Sequence, residues 1–225
     1  GGVIRPAEKT VVYRLSEEDV FRKPRALSFL HDGLFSVPEQ HKLRLLYPGM
    51  KDIPGAVPFA GSARLPCYTK ETIGGDTGEF VRHWKKGYFV IRTAKVQGAE
   101  GFFEPGELFE LPDAVLRMNS PFGVCFLSAG GSDSIRTAPR LLFTAVNSSI
   151  NSGNIGEKKK GWSLPGTAPV RILPVRGKLN LKNGCWSVWT LDEHGKRSRR
   201  VAQGISGFEF DTVRDRTVWY ELCRE

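Results

Sequence analysis

The sequence lacks the patterns that mark several common functional classes. It has four cysteines among 225 residues and no Cys-x-x-Cys pair, which argues against zinc-binding and thiol-redox motifs. Its four histidines form neither a His-x-His nor a His-Glu-x-x-His pattern, so we expect no metal ion and no other cofactor. Residues 130–133, Gly-Gly-Ser-Asp, are not followed by the Gly-Lys-Ser/Thr of a phosphate loop and are interpreted as a turn.

Long apolar runs are also missing. None reaches the roughly 18 residues of a membrane-spanning helix, so we expect no membrane partner. The chain opens with Gly-Gly-Val rather than a signal peptide, and we interpret it as a piece excised from a longer chain. We expect the cysteines to be buried free thiols, although the sequence leaves a disulfide open; they are Cys67, Cys125, Cys185 and Cys223.

Glycine and proline are abundant. The 25 glycines and 14 prolines suit many short strands joined by tight turns, and a hydrophobic content of 40% is that of a folded globular protein. Seven prolines interrupt residues 1–66, which we expect to be an extended segment packed on a β body formed by residues 67–225. One short helix is predicted after Ser16, where acidic residues follow a capping residue.

Apolar stretches separated by turn residues predict consecutive strands from about residue 80. They lie near 79–84, 87–94, 107–111, 114–118, 122–128, 140–147, 170–175, 177–182, 185–191, 207–211 and 216–222. Asn183-Gly184 predicts a hairpin between the strands that flank it. This series predicts an all-β fold of the β-sandwich type. A right-handed parallel β-helix is the alternative, but no fixed repeat period favours it.

The net charge of +9 raises the question of a nucleic-acid partner. Two clusters, residues 158–160 and 196–200, carry much of it, and both lie beside glycines. We interpret them as solvated loops and expect no nucleic-acid partner, because no nucleic-acid-binding motif accompanies them. An acidic polysaccharide is an intermediate possibility, since basic patches attract uronic acids.

Several segments in the second part of the chain have a familiar order. They are Gly75-Asp76-Thr77-Gly78-Glu79-Phe80, residues 86–93, residues 97–102, residues 140–147 with Asn151-Ser152-Gly153, residues 169–177 and residues 217–221. Together they resemble the region that follows the catalytic barrel in bacterial modular glycoside hydrolases. Their order and spacing agree over about residues 70 to 222.

The resemblance implies an all-β accessory or carbohydrate-binding region of a secreted or cell-surface bacterial enzyme. In that group the catalytic carboxylates belong to the barrel, so the implied function is non-catalytic binding of plant or algal cell-wall polysaccharide, with xylan as the first guess. The implied partners are the polysaccharide and a linked glycoside hydrolase domain. The alternatives are a structural accessory domain that supports a barrel without binding sugar, and a glycoside hydrolase in its own right.

Catalysis would require two carboxyl groups about 5–10 Å apart, one of them with a raised pKa. Asp76 and Glu79 are the best local pair, but Asp-Thr-Gly also opens a strand for backbone reasons alone. We therefore expect no catalytic residue in this chain.

Sugar binding needs exposed aromatic rings, because the apolar face of a pyranose packs on them. Alternation along residues 185–191 predicts that Trp189 faces the core and Trp186 the solvent, and along 216–222 it predicts Trp219 outward. In the competing interpretation, the tryptophans are core residues and the asparagine side chains form hydrogen bonds with the backbone of their own loops. The candidate carbohydrate-binding residues are Trp186, Trp219, Trp84, Trp162, Asn147, Asn151 and Asn154.

Overall fold

The structure is a computed structural model, and it describes residues 4–21, 32–59, 71–131, 134–157, 162–164 and 166–225. The chain divides into two compact units, residues 1–85 and 86–225. The division therefore lies later than the boundary after residue 66 that the proline pattern indicates. The predicted packing of residues 1–66 on the β body stays a prediction.

The described residues of the first unit form five strands, β1 (Thr10–Arg14), β2 (Lys42–Leu46), β3 (Val57–Pro58), β4 (Thr72–Gly74) and β5 (Phe80–His83). β1 pairs in parallel with β2 and with β3, and β4 pairs antiparallel with β5. Pro58 is tolerated because β3 is an edge strand. Leu15 and Leu34 are buried in a small core within this proline-rich segment.

The helices of the first unit are short. Helix α1 (Glu17–Phe21) begins after Ser16, whose hydroxyl accepts a hydrogen bond from Asp19 N at 3.1 Å while the Asp19 carboxylate accepts one from Ser16 N at 3.0 Å. This reciprocal capping confirms the predicted helix start. A 3₁₀ helix covers Asp32–Glu39. In the described part of the chain, no helix has the length and apolar character needed to cross a membrane.

In the second unit, the part that the structure describes forms fifteen strands in two main sheets and two short ladders. They are β6 (Tyr88–Arg92), β7 (Val96–Phe102), β8 (Glu107–Glu110), β9 (Ala114–Met118), β10 (Phe122–Ala129), β11 (Arg140–Val146), β12 (Ser149–Ser152), β13 (Ile155–Glu157), β14 (Trp162–Leu164), β15 (Thr167–Ile172), β16 (Arg176–Leu181), β17 (Trp186–Leu191), β18 (Arg197–Ile205), β19 (Gly207–Asp211) and β20 (Trp219–Arg224). In this unit the large sheet has the order β18-β17-β20-β11-β10-β7-β6, and the small sheet has the order β19-β16-β9-β8. β12 pairs with β15, and β13 with β14.

The core lies between the large and the small sheet. Phe143 and Tyr220 from the large sheet are fully buried, and the Phe143 ring packs 4.9 Å from that of Phe210 in the small sheet. Apolar side chains that alternate along each strand fill the space between two antiparallel sheets, which is the arrangement of a β-sandwich. The all-β prediction is confirmed. The antiparallel pairing does not fit the alternative parallel β-helix.

Two predicted turns have different outcomes. Asn183-Gly184 does not close a hairpin, because β16 pairs with β9 and β19 whereas β17 pairs with β18 and β20. It carries the chain from the small sheet to the large one instead. The turn at residues 193–195 does close a hairpin, between β17 and β18, and the Asp192 carboxylate there accepts hydrogen bonds from two backbone N–H groups of the turn.

Candidate functional site

The outward face of the large sheet carries apolar and aromatic side chains among polar ones. The register places Trp219 opposite Thr144, and Thr144 opposite Phe126, so that one row crosses three strands. Leu142 lies on the same face of β11, and it is 38% exposed while Trp219 is 39% exposed. A sheet face turned to water normally carries polar side chains. The exposure of Trp219 and Leu142 is therefore not explained by the needs of folding.

A cleft of about 330 Å³ opens beside Trp219, and we call it the Trp219 cleft. The residues that line it include Ile172, Leu191, Glu193, Val213, Arg216 and Trp219. Ile172 and Val213 are 54% and 57% exposed, which gives the cleft a solvent-facing apolar wall. An aromatic ring, an apolar wall and a few charged groups are the usual components of a small-ligand site.

The loop at residues 211–217 holds the Trp219 cleft in place. Its anchor is Asp215, whose buried carboxylate forms ion pairs with Arg199 and Arg214, each at 3.0 Å, and accepts a hydrogen bond from the Tyr220 hydroxyl at 3.0 Å. Burial alone would raise the pKa of Asp215, but the hydrogen bonds from Arg214, from Asp211 N and from Tyr220 outweigh it, so the pKa lies below its ordinary value. The loop is thus fixed before any ligand arrives.

Arg216 has an unusual backbone conformation. Its φ of 53° lies in the left-handed region, where a residue with a side chain is disfavoured. The next residue locks the geometry, because the Thr217 hydroxyl donates to Leu191 O at 2.7 Å and accepts from Trp219 N at 3.0 Å. Backbone strain of this kind is concentrated at functional sites.

A second cleft, of about 430 Å³, lies on the same face, and we call it the Arg140 cleft. The residues that line it include Pro139, Arg140, Leu142, Leu191, Gly195 and Glu221. Leu191 lines both clefts, so they are neighbours on one surface. The Arg140 cleft combines apolar side chains with charged ones.

Trp189 and two arginines form a stack beside the Arg140 cleft. The guanidinium carbons of Arg197 and Arg200 lie 5.3 Å and 5.5 Å from the centre of the Trp189 ring, within the range of cation–π contacts. Arg197 Nε also bonds the Glu221 carboxylate at 2.5 Å, and Arg140 Nη1 lies 3.9 Å from that carboxylate. Two guanidinium groups, of Arg197 and Arg140, therefore flank the Glu221 carboxylate, and that of Arg200 lies on the other side of Trp189.

The predicted orientation of β17 is wrong. Trp186 is only 1% exposed, its Nε1 donates to Asn183 O at 2.9 Å, and the Arg224 guanidinium lies 4.4 Å from its ring centre. It is a core residue and offers no platform, whereas Trp189, which the sequence assigned to the core, faces outward. Both faces of β17 carry a tryptophan and an aliphatic residue, so alternation alone does not identify the buried face. Trp219 faces outward as predicted.

The other tryptophan candidates are not among the lining residues of either cleft. Trp84 belongs to the first unit, where it is half-buried and its backbone N–H donates to Glu71 O. Trp162 begins β14, opposite Glu157, and its side chain lies outside the described residues.

The asparagine candidates serve the backbone or lie outside the clefts. The Asn147 amide donates to Phe122 O and Pro174 O, and its oxygen accepts from Ser148 N, so its polar atoms are used by the fold. Asn151 lies in β12, and Asn154 N bonds Asn151 O in the turn that follows it. Neither lines the Trp219 cleft or the Arg140 cleft.

The acidic pair of the first unit is engaged in structure. The Asp76 carboxylate accepts hydrogen bonds from Glu8 N and Lys9 N, each at 2.9 Å, and lies 3.0 Å from His41 Nδ1. Burial would raise the pKa of Asp76, but these hydrogen bonds outweigh it and hold the pKa below its ordinary value. A general acid needs the opposite shift. Glu79 in turn binds the backbone N–H and the guanidinium of Arg5.

Two further expectations are corrected. Residues 196–200 are not a loop, because β18 begins at Arg197; the cluster at residues 158–160 lies outside the described residues. Cys125 is a buried free thiol as expected, whereas Cys185 is free and exposed, and Cys67 is outside the description. Among the described residues, no group of three or more His, Cys, Asp or Glu side chains is placed to hold a metal ion.

Comparison with family models, with curated proteins and with solved structures finds no match for this chain. The candidate site therefore depends on its geometry alone. Sequence reasoning missed Trp189, Arg140, Leu191 and Arg216. The available signal was the cluster of arginines after residue 196, which alternation would have placed opposite Trp189 if the segment had been taken as a strand.

Proposed function

We propose that this chain is a non-catalytic carbohydrate-binding region of a glycoside hydrolase, and that it binds a cell-wall polysaccharide on the outward face of the large sheet. Xylan is the first ligand to test. The proposal assigns the central stacking platform to Trp219.

One observation carries the proposal most directly, namely that Trp219 is exposed on a strand whose neighbours also turn apolar groups outward. A pyranose ring presents an apolar face and a rim of hydroxyls, so it suits an aromatic ring flanked by polar groups. The Trp219 cleft supplies Glu193 as a hydroxyl acceptor and Arg216 as a donor. The fixed loop at residues 211–217 lowers the entropy lost on binding.

The test is the affinity of the Trp219→Ala variant for a panel of soluble xylan, glucan, mannan and agar. We expect the wild type to be retained by at least one polysaccharide and the variant to bind it at least about tenfold more weakly, because a stacking hot spot contributes roughly 2 kcal/mol. The matched control is Tyr47→Ala, since Tyr47 is an aromatic residue that is 52% exposed in the first unit. Equal weakening by both variants, or no change with Trp219→Ala, would contradict the proposal.

The proposal also predicts that the isolated chain releases no reducing sugar from these polysaccharides. The lowered pKa of Asp76 and the structural role of Glu79 support this expectation. Turnover that is abolished by Asp76→Asn would favour the alternative that the chain is itself a hydrolase.

A second candidate function, a structural accessory domain that supports a barrel, has one observation in its favour. Phe102 is 63% exposed, and its ring packs 5.1 Å from that of Phe122. An exposed pair of aromatic rings can also dock another domain. Retention on no polysaccharide, with the wild-type chain folded, would favour this second function.

A further inference from the structure

We propose that the Arg140 cleft recognises an anionic group, a carboxylate or a sulfate, on a decorated polysaccharide. The assignment rests on the proposed function and adds the ligand class. The main chain of the polysaccharide would stack at Trp219, and its acidic substituent would bind Arg140 and Arg200.

The local charge balance is the first argument. Arg140, Arg197 and Arg200 lie on the same face of the large sheet, where Glu221 pairs with Arg197 and lies 3.9 Å from Arg140, while Arg200 lies beyond Trp189 on the next strand. Arg197 satisfies most of that carboxylate at 2.5 Å, whereas the 3.9 Å from Arg140 is longer than a hydrogen bond. Within the described part of the chain, Arg200 has no ion pair. A bound anion would relieve the repulsion among the three cations.

The arginines are also held ready for an anion. Arg200 rests against the Trp189 ring, and the Arg140 side chain, 72% exposed, extends from β11 into a cleft bordered by Pro139 and Leu142. A planar guanidinium that is already positioned loses little entropy when it forms paired hydrogen bonds with a carboxylate or sulfate. The guanidinium groups at the edge of this apolar cleft are therefore suited to binding an anion.

The two clefts differ in charge, and this difference suggests how one ligand would occupy both. The Trp219 cleft includes Asp192 and Glu193 against the single cation Arg216, so it disfavours an anion and suits hydroxyl groups. The Arg140 cleft includes Arg140 and Glu221, and because Arg197 already pairs with Glu221, Arg140 is the charge that a ligand can use. Because Leu191 lines both, a sugar chain that passes Leu191 would place a neutral ring at Trp219 and an acidic group at Arg140.

Three xylans with the same backbone test the inference. They are arabinoxylan with neutral substituents, methylglucuronoxylan with carboxylates, and sulfated xylan with sulfates. We expect the wild type to bind at least one acidic xylan about tenfold more tightly than arabinoxylan at low salt, as one charge-assisted contact provides. The arm that shows the preference identifies the anion. The preference should shrink toward 1 M salt, where the Debye length is about 3 Å.

The variant is Arg140→Gln with Arg200→Gln, which should abolish the preference for the acidic xylan and leave arabinoxylan binding unchanged. The matched control combines Arg117→Gln with Lys178→Gln on the small sheet, because it removes the same charge from the other side of the sandwich. We expect the control to retain the preference. A loss with both double variants would show that net charge alone is responsible, and would overturn the inference.

Further outcomes separate this inference from the proposed function. Equal affinity for neutral and acidic xylans, lost with Trp219→Ala, would overturn the inference and support the proposed function. Binding to none of the three xylans would overturn the inference, while the wider polysaccharide panel decides the proposed function. Tighter, Arg140-dependent binding of single-stranded DNA of equal charge would assign the site to nucleic acid instead. Aggregation of the double variant with unchanged affinity would mean that the arginines only protect the edge strand β18.

Discussion

The two sheets of the second unit bury similar inward faces but present very different outward faces. On the small sheet, Lys178 lies opposite Glu209 on one side and Arg117 on the other, and Arg176 Nε bonds Asp211 at 2.7 Å. These are solvated charges that a sandwich needs for solubility. On the large sheet the corresponding surface carries tryptophan, leucine and phenylalanine.

The difference between the two outward faces indicates which surface of this fold is functional. Folding requires only that each sheet be apolar on its inward face, and the small sheet shows that the outward face can be mostly charged, with Leu108 as an exposed apolar residue in the row of Arg117 and Lys178. The aromatic outward face of the large sheet therefore reflects a use other than packing between the sheets. The clefts, the strained Arg216 and the arginine stack all occur on that face or at its rim.

The largest expected effect is a loss of stability when a tryptophan is removed from the inward face of β17, compared with the outward face of β20. We expect Trp186→Ala to lower the free energy of unfolding by about 3–5 kcal/mol, because it leaves a cavity in the core, and Trp219→Ala to lower it by less than about 1 kcal/mol. Urea denaturation followed by circular dichroism measures both. Similar losses for the two variants would mean that Trp219 also belongs to the core, and the contrast between the two faces would fail.

The strands of the sandwich could be predicted because their apolar stretches end at turn residues. β9, β10 and β19 lie close to their expected positions. β7 was missed, because Gly98 and Gly101 make its sequence read as a turn. β18 was also missed, because an edge strand that carries three charged residues in its first half has no apolar period.

The site was less predictable than the fold. Trp219 was found because Tyr220 and Leu222 set a clear inward face for β20. β17 has no such contrast: its outward face is also apolar, so the pattern fits both orientations. The clefts join residues from four segments that lie far apart in the sequence, and neither alternation nor motif spacing reports such contacts.

The next largest effect on stability is expected at Asp215, which anchors the loop of the Trp219 cleft. We expect Asp215→Asn to lower the free energy of unfolding at pH 7 by about 2–3 kcal/mol, since it removes the charge that Arg199 and Arg214 share. The folded-state pKa of Asp215 is lowered, so its stabilisation is present above the unfolded pKa of about 3.9 and is lost as the pH falls through the folded value. The variant should lack this acid-dependent loss in urea melts from pH 7 to pH 2.

The small sheet offers the control for that prediction. Asp211→Asn should cost less than about 1 kcal/mol, because the partner Arg176 is 58% exposed, its ion pair is screened by water, and the amide oxygen of asparagine still accepts the hydrogen bonds from Val213 N and Arg214 N. An equal cost for both variants would show that the loop at residues 211–217 is not anchored through Asp215.

A smaller effect on stability is expected at Gly98, where the Phe126 ring of the outward face packs closely on β7. A Cβ at Gly98 would lie 2.0 Å from Cys125 O and 2.6 Å from Cδ1 of Phe126, so the Phe126 ring lies over β7 only because residue 98 has no side chain. We expect Gly98→Ala to cost about 2 kcal/mol, since β10 must shift to accommodate the methyl group. Gly130→Ala is the control, because nothing lies within 4 Å of its Cβ position. Thermal melts that show no difference between the two variants would contradict this packing.

The smallest expected effect has the opposite sign and tests whether strain at Arg216 serves binding. A non-glycine residue in the left-handed region costs about 1–3 kcal/mol, and glycine gives back part of that through its own greater loss of entropy. We therefore expect Arg216→Gly to raise the free energy of unfolding by about 0.5–1 kcal/mol while weakening the binding of the retained polysaccharide. Calorimetric measurement of both quantities decides it. Arg214→Gly provides the contrast, because Arg214 is bonded to Asp215 and should only lose stability. If Arg216→Gly left affinity unchanged, the strained arginine would have no part in the Trp219 cleft, and the outward face would depend on its aromatic rings alone.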